Sequence, residues 1–93
     1  MVTAFVFIQA ETDKIPEVAD QVAALEGVAE VYSVTGKTDL IAVVRVRDYE
    51  DVEKTIANGI TKVAGILDTE TALAFRAYSR TDLGAAFSLG AGD

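Results

Sequence analysis

Along the chain the spacing of apolar residues switches between the period of a strand and that of a helix. Residues 2–10 combine β-branched and aromatic types (Val2, Phe5, Val6, Phe7, Ile8) on both parities of the two-residue period, which predicts a strand covered on both faces. Over residues 14–26 the period becomes helical: Ile15, Val18, Ala19, Val22 and Leu25 recur at spacings of three and four and form one apolar stripe. Thr12 or Asp13 is placed to cap that helix, Pro16 fits only a first turn, and Gly27 supplies the end. Strand character returns over residues 28–35 and is strongest over 40–47. The polar stretch Gly36-Lys37-Thr38-Asp39 between them has the length that joins antiparallel neighbours, which predicts a β-hairpin. Asp48 is placed to cap a second helix over residues 49–62, with the stripe Tyr49, Val52, Ile56, Ile60 and Val63. Glu50, Asp51 and Glu53 fall in its first turn, where the helix dipole favours negative charge. Gly59 inside that helix is costly relative to alanine and predicts close packing or fraying there. A long last strand is expected over residues 66–79.

The two halves match at one constant offset: Val6 with Val44, Val18 with Ile56, Val22 with Ile60, Leu25 with Val63, and Gly27 with Gly65. Each half is β-α-β, and the whole reads βαββαβ. That order predicts an α+β, ferredoxin-like sandwich, a four-stranded antiparallel sheet with both helices on one face. Residues 1–79 form this domain and 80–93 a C-terminal tail. Two helices cover only one face of such a sheet, yet both parities of the first and third strands carry large apolar residues. An exposed patch of that size is an interaction surface, so a dimer packed through the open face is expected, in the manner of a dimeric α+β barrel. The competing expectation is that residues 83–89 fold over the face of their own monomer.

Composition narrows the chemistry. With no cysteine and no histidine, the chain has no disulfide framework, no thiol nucleophile, and neither the commonest metal ligand nor the commonest general base. Fifteen acidic against eight basic residues give a net charge of -7, which repels a phosphate backbone and argues against direct nucleic-acid binding. The apolar N-terminal stretch lacks a basic flank and is followed at once by Glu11 and Asp13, unlike a secretory signal, and no apolar run reaches the length of a membrane helix. The expectation is a soluble, cytoplasmic protein. Asp48, Glu50, Asp51 and Glu53 lack the spacing of a hard-cation loop and read as a solvated helix start, so no metal and no cofactor are expected. The serines lack the context of an activated nucleophile, and no phosphate-binding glycine loop occurs.

Gly27-Val28 opening a strand, Gly36-Lys37-Thr38-Asp39-Leu40 in the hairpin, and Gly65-Ile66 followed by Thr69-Glu70-Thr71 resemble, in order and spacing, the ligand-binding domain of the Lrp/AsnC transcription regulators. The resemblance covers roughly residues 2–79 and implies a stand-alone version of a domain that full-length members join to a helix-turn-helix. It implies dimers packed sheet to sheet, rings such as octamers or decamers, and small effectors, mostly amino acids, in clefts between dimers. Carried onto this chain, the effector site comprises Gly36, Lys37, Thr38, Asp39 and Leu40, with Thr69, Glu70 and Thr71, these last from the same or another subunit. Position 38 is threonine where many relatives carry an aromatic residue, and Ala64 stands where a proline is frequent.

Each of these residues also has a plain structural role open to it. Gly36 supplies a positive φ, Asp39 satisfies turn amides, Lys37 is a solvated charge, and Thr69 and Thr71 fill a strand face. Arg45, Arg47 and Arg76 are expected at edges or paired with Glu30, Asp68 or Glu70. The function expected is a non-enzymatic, oligomeric small-molecule sensor that modulates transcription without binding DNA itself, with full-length Lrp/AsnC regulators as candidate partners. The alternative is a dimeric α+β barrel enzyme, a small monooxygenase or isomerase using Tyr32, Tyr49, Tyr78 or carboxylates as acid-base groups. A plain interaction module is the third reading.

Overall fold

A computed structural model describes residues 1–80 of the chain. Four strands, β1 (Val2–Ala10), β2 (Val28–Ser33), β3 (Leu40–Val46) and β4 (Ile66–Leu73), and two helices, α1 (Ile15–Ala23) and α2 (Tyr49–Asn58), follow the order βαββαβ. The sheet is antiparallel throughout and ordered β2-β3-β1-β4, which puts β1 and β3 at its centre. This is the ferredoxin-like α+β fold.

Register explains how one face became the core. Ala4, Val6 and Ile8 of β1 stand opposite Val44, Ala42 and Leu40 of β3, and all six are fully buried. Val18 and Val22 of α1 close over them, joined by Val52 of α2 and by Ile60. The alternate residues Phe5, Phe7, Ile41 and Val43 face the other way.

Several boundaries differ from the sequence expectation. Neither Thr12 nor Asp13 caps α1. Residues Thr12–Lys14 instead form a 3-10 turn, closed by the Lys14 amide donating to the Glu11 carbonyl at 2.8 Å, and Pro16 then fills the first helical turn without an amide to satisfy. Asp48 does take the capping position of α2, but its side chain makes no capping bond; its carbonyl accepts from the Asp51 and Val52 amides. α2 stops at Asn58 rather than Lys62, and Ile60–Lys62 tightens to a 3-10 turn. The break falls at Gly59, where close packing or fraying is expected and both are found: α2 ends there, and an added Cβ would lie 2.6 Å from the Thr55 carbonyl oxygen and 3.2 Å from a Leu25 methyl.

β4 ends at Leu73 and not Ser79. Leu73 pairs with Ala4, the Ala74 amide still donates to the Thr3 carbonyl at 2.9 Å, and beyond that β1 has only Val2 left to offer a partner. The hairpin connection is also longer, spanning residues 34–39, because the Asp39 amide leaves the β2–β3 ladder and donates to the Ile8 carbonyl at 3.0 Å. Of the predicted tail, everything after Arg80 lies outside the described residues.

The matched glycines of the two halves share one backbone state, φ +95° at Gly27 and +99° at Gly65, which L side chains rarely adopt. At Gly65 a Cβ would also lie 2.8 Å from a methyl of buried Val18, whereas at Gly36 (φ +106°) it would meet no atom within 4 Å. Gly36→Ala should therefore cost only the backbone term, about 1–2 kcal/mol, and Gly65→Ala about 1–3 kcal/mol more through overpacking. Urea midpoints of the two variants check the order.

Candidate functional site

The hairpin is tied to the end of β1 by three hydrogen bonds. The Ala10 amide donates to Asp39 Oδ2 at 2.9 Å, the Asp39 amide donates to the Ile8 carbonyl, and Gln9 Nε2 donates to the Lys37 carbonyl at 3.2 Å. The carboxylate of Asp39 thus holds architecture, through a neighbouring strand rather than through turn amides. Its second oxygen makes no hydrogen bond within the described residues. Gly36 and Lys37 form the exposed tip of the loop and Thr38 is half-buried beside them. Leu40 is fully buried beneath the helices, so its side chain belongs to the core and only its backbone is near the loop.

The β4 residues divide by parity. Thr69 and Thr71 stand opposite Ile8 and Val6, on the helix side, while Glu70 stands opposite Phe7 on the open face. β1 separates the hairpin end of β3 from the start of β4, so the two groups share one end of the sheet but stand two strand spacings apart, about 10 Å. Within a single chain β1 lies between them.

The open face is a second feature of the site. Phe5, Phe7, Ile41 and Val43 cover its centre, Tyr32 of β2 and Ala72 of β4 flank them, and Gln9, Glu30, Arg45, Asp68 and Glu70 form a polar rim. Phe5 is 37% exposed and Tyr32 52%, large values for aromatic residues in a sheet. Arg45 pairs with Glu30 at 2.9 Å as expected; both are well exposed, so the pair adds at most about 1 kcal/mol. Arg76 instead lies 5.0 Å from the centre of the Tyr78 ring.

Sequence reasoning did not find a third feature. At the opposite end of the sheet, a partly open cleft of about 580 Å³ lies between the turn after α1 (Leu25, Glu26, Gly27), the end of β3 (Arg45, Val46, Arg47) and one side of α2. Its α2 residues Asp51, Lys54, Thr55 and Asn58 have helical spacing, the one signal that was available, but nothing in the chain marked what they would face. Among the described residues, no group of three or more His, Cys, Asp or Glu side chains is placed to hold a metal ion, and no helix is long and apolar enough to cross a membrane.

A split βαβ sandwich with an apolar open sheet face and a glycine-aspartate hairpin strapped to its central strand defines the class of fold. The model of the Lrp/AsnC ligand binding domain matches residues 3–83, and the chain belongs to that family. An uncharacterized HTH-type transcriptional regulator of Pyrococcus abyssi is 36% identical over 72 residues, covering 77% of this chain and 46% of the relative. The chain spans about half the length of the curated relatives it matches. Among solved structures, TTHA0845 of Thermus thermophilus is 46% identical with a TM-score of 0.81, covering 86% of this chain and all of that one. A hypothetical protein of Pyrococcus horikoshii is 33% identical with a TM-score of 0.76, over 84% of this chain and 94% of its own. AsnC of E. coli, at 23% identity and a TM-score of 0.76, covers 82% of this chain and 52% of its own and shares the fold.

Because Asp39 clamps β1, Asp39→Ala should lower unfolding stability by about 1–2 kcal/mol, the cost of leaving the Ala10 amide without its charged acceptor. Lys37→Ala, at the exposed tip, should change it by less than about 0.5 kcal/mol. Thermal or urea denaturation of both variants distinguishes a clamp from a surface charge.

Proposed function

We propose that the chain is a non-enzymatic, oligomeric sensor domain that binds an amino acid or related small effector between subunits and modulates transcription without contacting DNA itself. The observation that carries this reading is the division of the site. The hairpin residues and Thr69, Glu70 and Thr71 sit at one end of the sheet with β1 between them, an open arrangement that a neighbouring subunit would close over. The open apolar face, with Phe5 and Tyr32 exposed, Phe7 and Ile41 half-buried and Val43 buried among them, supports a first, sheet-to-sheet dimer, and further pairing of dimers into an octamer or decamer brings hairpins to β4 ends.

In that assembly Gly36 admits close approach of the effector to the backbone, and the free oxygen of Asp39 accepts from an ammonium group. Lys37 and Thr38 lie beside it, the Leu40 backbone closes the loop, and Thr69, Glu70 and Thr71 add polar groups from the neighbour. A Neisseria meningitidis transcriptional regulator of this fold, 16% identical with a TM-score of 0.75, was solved as a complex with L-Met, which supports starting from amino acids. Effector binding regulates by favouring one assembly over another, which requires differential affinity for the two. Family membership and the net charge of -7 support a cytoplasmic partner in transcription, such as a full-length regulator of the same family joined in a mixed assembly, over direct DNA binding.

Native mass spectrometry without and with a pool of amino acids tests the proposal, since it reports stoichiometry and bound mass together. Paired dimers that gain an amino-acid mass are expected, with Asp39→Ala losing the bound mass while the dimer persists. A lone dimer or monomer indifferent to every amino acid overturns it.

A further inference from the structure

Exposed apolar side chains gather where the backbone leaves the sheet. β4 ends with Leu73 beside Ala4, and the Ala74 amide donates to the Thr3 carbonyl, so the chain departs at the end of the sheet where β1 begins. Val2 pairs with Val46 there, which makes it the end that carries the cleft, about 20 Å along β3 from the hairpin. Met1, Tyr49 and Leu73 are exposed at this end, and Phe75 and Tyr78 follow in the departing segment, 96% and 82% exposed. Single exposed apolar residues are ordinary, but a group of them beside a cleft marks a surface that gains by being covered.

The lining of the cleft suits an occupant of a particular kind. Half-buried Leu25 and Val46 line it together with Met1, and its volume of about 580 Å³ falls in the range that encloses a compact apolar group. Three basic residues, Arg45, Arg47 and Lys54, stand in the lining against two acidic ones, Glu26 and Asp51, in a chain where acidic residues outnumber basic ones fifteen to eight. Arg45 is paired with Glu30, whereas Arg47 and Lys54 are in no ion pair among the described residues. An apolar segment that also carries a carboxylate matches both properties.

The chain supplies such a segment beyond Arg80. Thr81-Asp82-Leu83 leads into Ala85, Ala86, Phe87 and Leu89, and residues 81–93 contain two aspartates and no basic residue. The family domain is matched only as far as residue 83, so Phe87 and Leu89 are additions to it. Reach allows the contact. Only β1 lies between β4 and β3, two strand spacings or about 10 Å, and residues 75–80 span up to about 20 Å when extended. A segment tethered this closely meets the cleft at an effective concentration on the order of millimolar, far above that of a second molecule in dilute solution.

We propose that residues 82–89 dock in this cleft of their own chain, with Leu83 and Phe87 against Leu25 and Val46, and Asp82 meeting Arg47 and Lys54.

Because the chain has no cysteine, Ala91→Cys gives a single site for a nitroxide just past the apolar run. In isotope-labelled protein the nitroxide should broaden the amides of Gly27, Val46, Thr55 and Gly59 and spare those of Gly36 and Lys37 at the other end of the sheet. Isotope-labelled protein without nitroxide, mixed with unlabelled protein that carries it, should show no such broadening. Leu83→Ser combined with Phe87→Ser should abolish the effect, with unchanged Gly36 and Lys37 amide shifts reporting that the domain is still folded. Broadening centred on Phe5, Phe7 and Ile41 would assign the segment to the open face, and broadening in the mixed sample would assign it to a second copy. Either result overturns the proposal, as does broadening that survives the double variant or is absent from the cleft amides.

Discussion

Two helices packed on four strands can dehydrate only one side of the sheet, and most of what this domain does follows from that geometry. Ala4, Val6, Ile8, Leu40, Ala42 and Val44 disappear under α1 and α2, while Phe5, Phe7, Ile41 and Val43 are left on the far side of the same two central strands. A strand cannot be apolar on both parities and be satisfied by helices on one. The helix-covered side makes the monomer, and the other side keeps an apolar surface that the helices do not reach. The hairpin and the start of β4 are carried at the corner of this platform, their positions set by β1, to which both are bonded.

The period of the apolar residues was enough to read the element order and the hairpin, because burial enforces that period over many residues together; which parity of β1 and β3 faces the helices stayed open, since both are apolar. Boundaries were less legible because each rests on a single local competition. β4 stops where β1 runs out of partners, a fact about the neighbouring strand that the alternation through Phe75 does not reveal. The start of α1 was misread because the sequence offered Thr12 and Asp13 as caps, and a 3-10 turn met the need through backbone instead. Gly59 was legible because a glycine inside a helical stripe is costly, and here it allows α2 to approach Leu25.

The candidate site was legible as a string and not as an arrangement. Gly36 and Asp39 read as turn chemistry, and the positive φ of Gly36 agrees, but the bond from the Ala10 amide to Asp39 joins residues far apart in the chain. No local pattern encodes it. Leu40 shows the reverse: adjacency in the motif placed it in the site, and the strand period that begins with it turns its side chain into the core and leaves its backbone at the loop. The cleft near Glu26 and Arg47 had no signature at all, since it is made by three segments whose convergence only the fold supplies.

Charge sets the terms on which the bare face can work. With a net charge of -7, two copies brought together repel over distances comparable to the Debye length, and the one ion pair among the described residues, Arg45 with Glu30, is already satisfied within the chain. Asp68 and Glu70 on the rim bring like charge toward the same surface. In the sheet-to-sheet dimer proposed above, attraction has to come from the dehydration of Phe5, Phe7, Ile41 and Tyr32, which salt does not screen, while the opposing term is one that salt weakens. Added salt then favours assembly, opposite to what a contact built on ion pairs would do. On the effector site proposed above, a cationic group at Asp39 would act in the same direction by removing local negative charge, which would give an ammonium-bearing ligand differential affinity for the associated state.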